Sequence, residues 1–474
     1  MKKRMALIAA LVGTGLVLSA CGTGGNQTAS GTETLTWLIA GNSQPDGEMV
    51  LKKANEILEK EIGAKIDIQW IETSAYSERM IMNMASGLDF DLCFTGYVNP
   101  YDKGVEHGGF YDITELLETE TPALKASIPE YAWTPAKIKG KIYAVPNLQV
   151  YFNVNSYEIK KDLADKYGLD VSKVKRATDL EPFFEQIKAN EPIIYPFRGN
   201  GVFLEEYFEE ITSGIGILRD GSSKRVISMY EDERYLEKIR IAHEWYKKGY
   251  VREDIASSGD DTTEYQAGRY AVNGTSWKPG VEDTKKNSLG YEVVYANISE
   301  PYIQRASALL TMTAVGADSK NPVKALKTIE AVQTNKELYN LLSYGIEGTH
   351  YTLTEDGKVR YMEDSNYKTS AWVFGNQFQA LLEEGQADDI WEETARLNET
   401  AQQSPIYDFA FNSEPVRSEL SQISTIIGEY QAVMKGSDPL EKWHDTFISR
   451  LYTAGYQKVM DEVQRQLDEY FASK

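Results

Sequence analysis

The chain has 474 residues, 42% hydrophobic and 26% charged, with 71 acidic groups against 50 basic ones and a formal net charge of −21. That length exceeds what one ordinary core serves, so two or more domains are expected. An acidic surface of this size repels phosphate backbones and anionic lipid, which argues against nucleic-acid binding as a function class.

The N-terminus is the first informative segment. "MKKR" is a basic start, and "MALIAALVGTGLVLSA" is an apolar run ending in small residues. The pattern predicts an export signal over residues 1–20, too short for a permanent spanning helix. It ends in "LSAC", which resembles a bacterial lipobox, where cleavage leaves the cysteine first and diacylated. Cys21 is therefore the expected lipidation site. Two acyl chains on one residue suffice for stable anchoring. Residues 21–33, rich in Gly, Thr and Ser, predict a flexible tether with a reach of about 20 Å. The other cysteine, Cys93, lies in the apolar run "FDLCFTGY" and is expected to be a buried thiol.

Regular structure is predicted from "ETLTWLIAG", where Leu35, Trp37 and Ile39 alternate with polar or small residues. "GEMVLKKANEILEKEIG" then puts Met49, Val50, Ala54, Ile57, Leu58 and Ile62 on one helical stripe, with Gly63 placed to stop it. "KIDIQWIE" alternates again, "AYSERMIMNMASG" is a second helix, and "FDLCFTGY" is a short buried strand. Strand, helix, strand, helix, strand predicts a parallel sheet covered on both faces. Ligands of such sheets bind beyond the carboxyl ends of the strands. A second α/β region follows "GKIYAVPNLQVYFNVN", and "ASALLTMTAVGADSKNPVKALKTIEAVQTN" predicts a strand, a turn and a helix. "YGIEGTHY", residues 344–351, pairs Glu347 with His350 between glycines. Gly345 is expected to end a helix and Gly348 to make a turn, so the stretch is a structural loop, with ligand contact through Tyr344 or Glu347 as the alternative. The tail is helical. Asp438, Pro439 and Glu441 predict one start, and Val459, Val463, Leu467 and Phe471 form the stripe of the last helix.

No HExxH, CxxC, Walker A, GxSxG or GxGxxG pattern occurs, so neither a cofactor nor a metal site is expected. "DDTTE" near residue 260 clusters carboxylates without the spacing of a calcium loop and is expected to be a solvated surface loop. Aromatic residues are plentiful: 30 Tyr, 15 Phe and 8 Trp. Several stand where strands end, among them Tyr97, Tyr151, Trp277, Trp372 and Phe374. Aromatic faces beside amides and carboxylates are what sugar recognition needs.

"MASGLDFDLCFTGYVNPY", "GGFYDITELL", "IKGKIYAVPN", "YGIEGTHYTL", "YDFAFNSEPV" and "AGYQKVMDEVQRQLDEY", in that order, cover most of the mature chain. Together they resemble the extracellular solute-binding proteins of carbohydrate ABC importers, in the lipoprotein subfamily that ends in a DUF3502-type domain. The resemblance implies a two-lobe α/β fold of the periplasmic-binding-protein type II class, each lobe a parallel-dominated sheet flanked by helices. Residues 34–147 and about 306–350 would form the first lobe, residues 148–305 and about 351–410 the second, and residues 411–474 a helical region packed on them. It implies ligand contacts from Asn42, Gln44, Thr95, Tyr97, Gln149, Tyr151, Arg198, Asn200, Trp277 and Trp372. It further implies a monomer that is not an enzyme, anchored outside the cell membrane, taking a mono- or oligosaccharide and passing it to ABC permease subunits. Two other functions fit the same tether and aromatics: a surface glycoside hydrolase, which needs only two suitably spaced carboxylates, and a binder of peptides or another small solute.

Overall fold

The computed structural model describes residues 32–474, apart from 88–89, 200, 205 and 258–260. The expected signal, Cys21, most of the tether and Asn200 lie outside the described residues.

Period-two alternation forms the first sheet as expected. Its order is Ala64–Ile71, Glu33–Ala40, Leu92–Gly96, Thr311–Val315, Ala144–Pro146. The first three strands are parallel, and Thr311–Val315 runs antiparallel to both its neighbours. The pairing is therefore mixed, because Thr311–Val315 returns from the far lobe rather than through a local helix. The helices Gly47–Ile62 and Thr73–Ser86 end at Gly63 and Gly87, both left-handed, a conformation glycine adopts at least cost. Val50, Ala54 and Leu58 of the first stripe are buried. Met49 is not: it stands 49% exposed at the helix start. Cys93 is free and buried in the strand, where loss of solvent raises its thiol far above the usual range.

The second sheet has the order Val293–Asn297, Asn155–Lys160, Tyr270–Ser276, Tyr195–Phe197. Its first two pairings are antiparallel and only the last is parallel. Tyr157, Phe184, Phe197, Trp245 and Val272 fill the core beneath it. A third sheet, Phe208–Thr212, Ile215–Leu218 and Ile227–Ser228, is antiparallel. Ile215, Ile217 and Tyr230 share a separate core with the C-terminal helices through Leu451, Val459, Val463 and Leu467. The stripe predicted for the last helix, Tyr456–Ala472, is thus an interface with the second lobe's outer sheet. The preceding helix starts at Leu440, with Pro439 just outside it and no side-chain cap from Asp438.

Tyr351, Val359, Val373, Phe374, Leu397 and Tyr407 bury in the same core as the first sheet. Much of the segment 351–410 therefore packs on the first sheet's core, while Ile406 and Phe409 join the core of the third sheet. Three stretches run side by side between the lobes: Asn153 bridges Tyr302, and Tyr302–Ile303 pairs in parallel with Gln402–Gln403. Among the described residues no helix is long and apolar enough to cross a membrane.

Candidate ligand-binding cleft

The strand Leu92–Gly96 is buried along its length and stops where Gly96 takes a φ of 146°. A Cβ at Gly96 would lie 1.9 Å from the Leu310 carbonyl oxygen, so only glycine allows the two segments to approach. Tyr97 donates its backbone N–H to the same carbonyl at 3.0 Å. Its ring is left 49% exposed, edge to face with Phe94 at 5.8 Å and with Trp372 at 5.9 Å. Trp372 is held from behind, because the Asn147 amide donates to the carbonyls of Trp372 and Val373 at 3.1 and 2.8 Å. The result is a fixed aromatic wall with one open side.

Cavities abut this wall on both sides. One, of 410 Å³, is lined by Tyr97 and Lys103 of the first lobe, Glu210 and Ile211 of the third sheet, and Gln304 and Arg305 between them. Past Glu210 and Gln304 it continues into a 310 Å³ recess with Asn153, Asn155 and Tyr207. On the other side of Trp372 lies a 230 Å³ chamber that Trp372 itself lines. Much of the charge in the larger space is spent internally. Asp102 accepts from Arg305 at 2.6 and 2.7 Å, and Glu206 faces Lys238 at 3.3 Å and Arg219 at 4.0 Å. The uncharged polar groups include Asn153, which accepts from the Ser276 hydroxyl and donates to Asn155 at 2.9 Å. Aromatic faces, amides and hydroxyls with paired charges suit a neutral polyhydroxylated ligand.

The expected site residues divide. Tyr97 and Trp372 are brought together. Trp277 packs half-exposed against the first core and donates its indole N–H to Glu282 at 3.1 Å. Asn42 is exposed, and Gln44 ties its loop across by accepting from the Lys368 N–H at 2.7 Å. Thr95, Gln149 and Tyr151 have buried side chains that make hydrogen bonds within the protein. Thr95 donates to the Asn99 carbonyl at 2.6 Å and shapes the turn below Tyr97. Gln149 donates to the Thr311 hydroxyl. Tyr151 donates its hydroxyl to the Asn147 carbonyl at 2.7 Å and its N–H to Asn398 at 2.8 Å. Arg198 forms a bidentate pair with Asp261, with Nε to Oδ2 at 3.0 Å, and stacks over Tyr265 at 4.4 Å. Hydrogen bonding from that guanidinium holds the Asp261 carboxyl below its usual range. Asp261 in "DDTTE" is thus a structural partner rather than a solvated charge. Glu347 lines a groove on the outer face beside Lys53 and Lys60, away from Tyr97 and Trp372. Asn153 and Asn155, which line the recess, were not legible from the sequence: small polar residues carry no local signal, and only the pairing of Asn155 with Ser276 brings them to it. Among the described residues no group of three or more His, Cys, Asp or Glu side chains is placed to hold a metal ion.

Two α/β lobes joined by three adjacent crossings, with an aromatic-lined cleft between them, define a type II solute-binding protein fold. Residues 405–472 match the family model described as a domain of unknown function, DUF3502. A carbohydrate ABC transporter substrate-binding protein of Streptococcus pneumoniae serotype 4 is 29% identical over 494 residues, covering 100% of this chain and 99% of that protein. Lipoprotein LipO of Bacillus subtilis is 19% identical over 370 residues, 72% of each chain. Among solved structures, the N-glycan transport solute binding protein NgtS of S. pneumoniae superposes with a TM-score of 0.85 at 26% identity, over 93% of this chain and 99% of that one. The same protein has been solved with Man1GlcNAc and with Man5GlcNAc.

Proposed function

We propose that this chain is the substrate-capturing component of a carbohydrate ABC importer, held outside the cell membrane by lipid on Cys21. An oligosaccharide enters between the lobes, stacks on Tyr97, Trp372 and Trp277, and stabilises the closed form. The closed protein docks on the permease and releases its cargo. Residues 34–147 and about 306–350 make the first lobe and 148–305 the second. Residues 351–410 run between them, and 411–474 brace the second lobe's outer sheet. The protein acts as a monomer and leaves the sugar chemically unchanged.

The observation that carries this reading is the Tyr97–Trp372 pair at the junction of the cavities, partly exposed and anchored by backbone hydrogen bonds as well as by the Phe94 ring. A hydrolase would need two free carboxylates across the scissile bond. Glu209, the buried carboxylate of the first cavity, instead accepts from Tyr302 and Ser404, both at 2.5 Å.

Man1GlcNAc and Man5GlcNAc are suitable first probes. Either should shift tryptophan fluorescence and raise the melting temperature without being consumed. Trp372→Ala should weaken binding at least about tenfold, given what a lost aromatic stack is worth, while the unliganded protein stays folded. Shortened products on chromatography would replace the transport reading with hydrolysis. A melting shift with peptides but with no glycan would make the substrate class wrong.

A further inference from the structure

The 230 Å³ chamber beside Trp372 is lined from both lobes. Lys278 comes from the second lobe, one residue after Trp277. Glu383 comes from the segment that shares the first core, and Tyr361 and Trp391 stand with it. The two charged groups face one space without joining. The Lys278 ammonium makes no hydrogen bond or ion pair with any described residue. Glu383 has one weak donor, the Tyr361 hydroxyl at 3.4 Å. Burial pushes the Lys278 amine below its usual range and the Glu383 carboxyl above its own. Both side chains are only partly withdrawn from solvent, so each keeps a face that a ligand can reach. Although both line the chamber, no ion pair closes between them.

We propose that Lys278 and Glu383 form a sugar subsite, separate from the Tyr97 side of the cleft, that takes one pyranose residue through adjacent hydroxyls. A vicinal diol has what this chamber lacks, an oxygen to accept from Lys278 and an O–H to donate to Glu383. The indoles of Trp372 and Trp391 supply the apolar walls for the ring. Because Lys278 stands on the second lobe and Glu383 on the segment that packs against the first core, filling the subsite also favours closure. With the larger cavity on the far side of the Tyr97–Trp372 wall, the site then holds a glycan with residues on both sides of that wall. This inference rests on the sugar-binding reading above and deepens it.

The test is calorimetric titration of the mature protein with Man5GlcNAc, using Lys278→Met, Glu383→Gln and Trp372→Ala, alongside melting of each unliganded variant. Lys278→Met and Glu383→Gln should each weaken Man5GlcNAc at least about tenfold, the loss expected for a charge-assisted hydrogen bond. Their unliganded melting temperatures should hold or rise, because each substitution removes a charge that has no full partner. A purely structural residue would lose stability and affinity together, and that result overturns the proposal. Affinity within twofold of wild type in both variants, with Trp372→Ala impaired, overturns the subsite and leaves the sugar-binding reading standing. Wild-type protein silent to Man5GlcNAc and to other glycans, but stabilised by a dipeptide, overturns both.

Discussion

One carboxylate holds the lobe crossings together. Glu209 is buried in the strand Phe208–Thr212, where it accepts from Tyr302 on one crossing segment and Ser404 on another. The Arg219 guanidinium, 3.6 Å above the Tyr302 ring, is the nearby positive charge. Burial outweighs these partners, and the Glu209 carboxyl is raised above its ordinary value. The sign of the consequence is fixed. The folded state keeps its proton to higher pH than the unfolded chain does, so this contribution to stability is full below the unfolded value and declines as pH rises through the folded one. The wild-type advantage in melting temperature over Glu209→Gln should therefore be larger near about pH 4 than near about pH 7. A difference that does not change with pH would mean the carboxylate is fully compensated. His350 ties a different junction. Its Nδ1 accepts the Ile346 N–H at 2.8 Å, which leaves Nε2 to donate toward Asp46 at 3.3 Å. The ring thereby pins the start of the helix Gly47–Ile62, and through it residues 344–351 brace that helix.

Among the elements, the strand Leu92–Gly96 does most to place the site, and its last residue can be tested. Gly96→Ala forces a Cβ into the Leu310 carbonyl at a φ that side chains rarely adopt. The expected cost is about 2 kcal/mol or more, read as a fall in melting temperature, with Tyr97 displaced and glycan affinity reduced. The C-terminal helices offer a second measurement. Leu451 is fully buried between them and the second lobe, so Leu451→Ala should cost about 2–5 kcal/mol in denaturant unfolding. Loss confined to one late-unfolding helix would instead mean that this region folds on its own. These elements also mark what the sequence could and could not disclose. Leu35, Trp37 and Ile39 alternate, and Gly63 ends a helix, because both signals are local. That Thr311–Val315 would insert antiparallel between Leu92–Gly96 and Ala144–Pro146 is a matter of pairing across more than 160 residues, which no window of sequence contains. Tyr151 is buried, which was not legible for the same reason. It follows a strand end, but Asn398, a residue 247 positions away, claims its backbone. Tyr97 and Trp372 were legible singly, while their contact was not.

At the scale of the whole molecule, the crossings decide what ligand binding can do. Three segments, at Asn153, Tyr302–Ile303 and Gln402–Gln403, lie side by side and are tied by backbone hydrogen bonds. Such a triple connection resists twisting of one lobe on the other but leaves bending about a single axis, so closure is the accessible motion. A glycan that touches Trp372 on one side and Lys278 on the other gains its full set of contacts only when the lobes approach. Its free energy is then spent on shifting the population rather than on either lobe alone. Adding Man5GlcNAc to the mature protein should therefore lower the radius of gyration measured by small-angle scattering. At a hundredfold excess over Kd it should stabilise the fold by about 2.7 kcal/mol. The Trp372→Ala variant should need correspondingly more glycan for the same contraction, since it weakens the closed state. Stabilisation without contraction would mean that the cleft binds as a preformed pocket. The crossings would then be a rigid spacer, and the two-sided lining of the Trp372 chamber would have no part in driving closure.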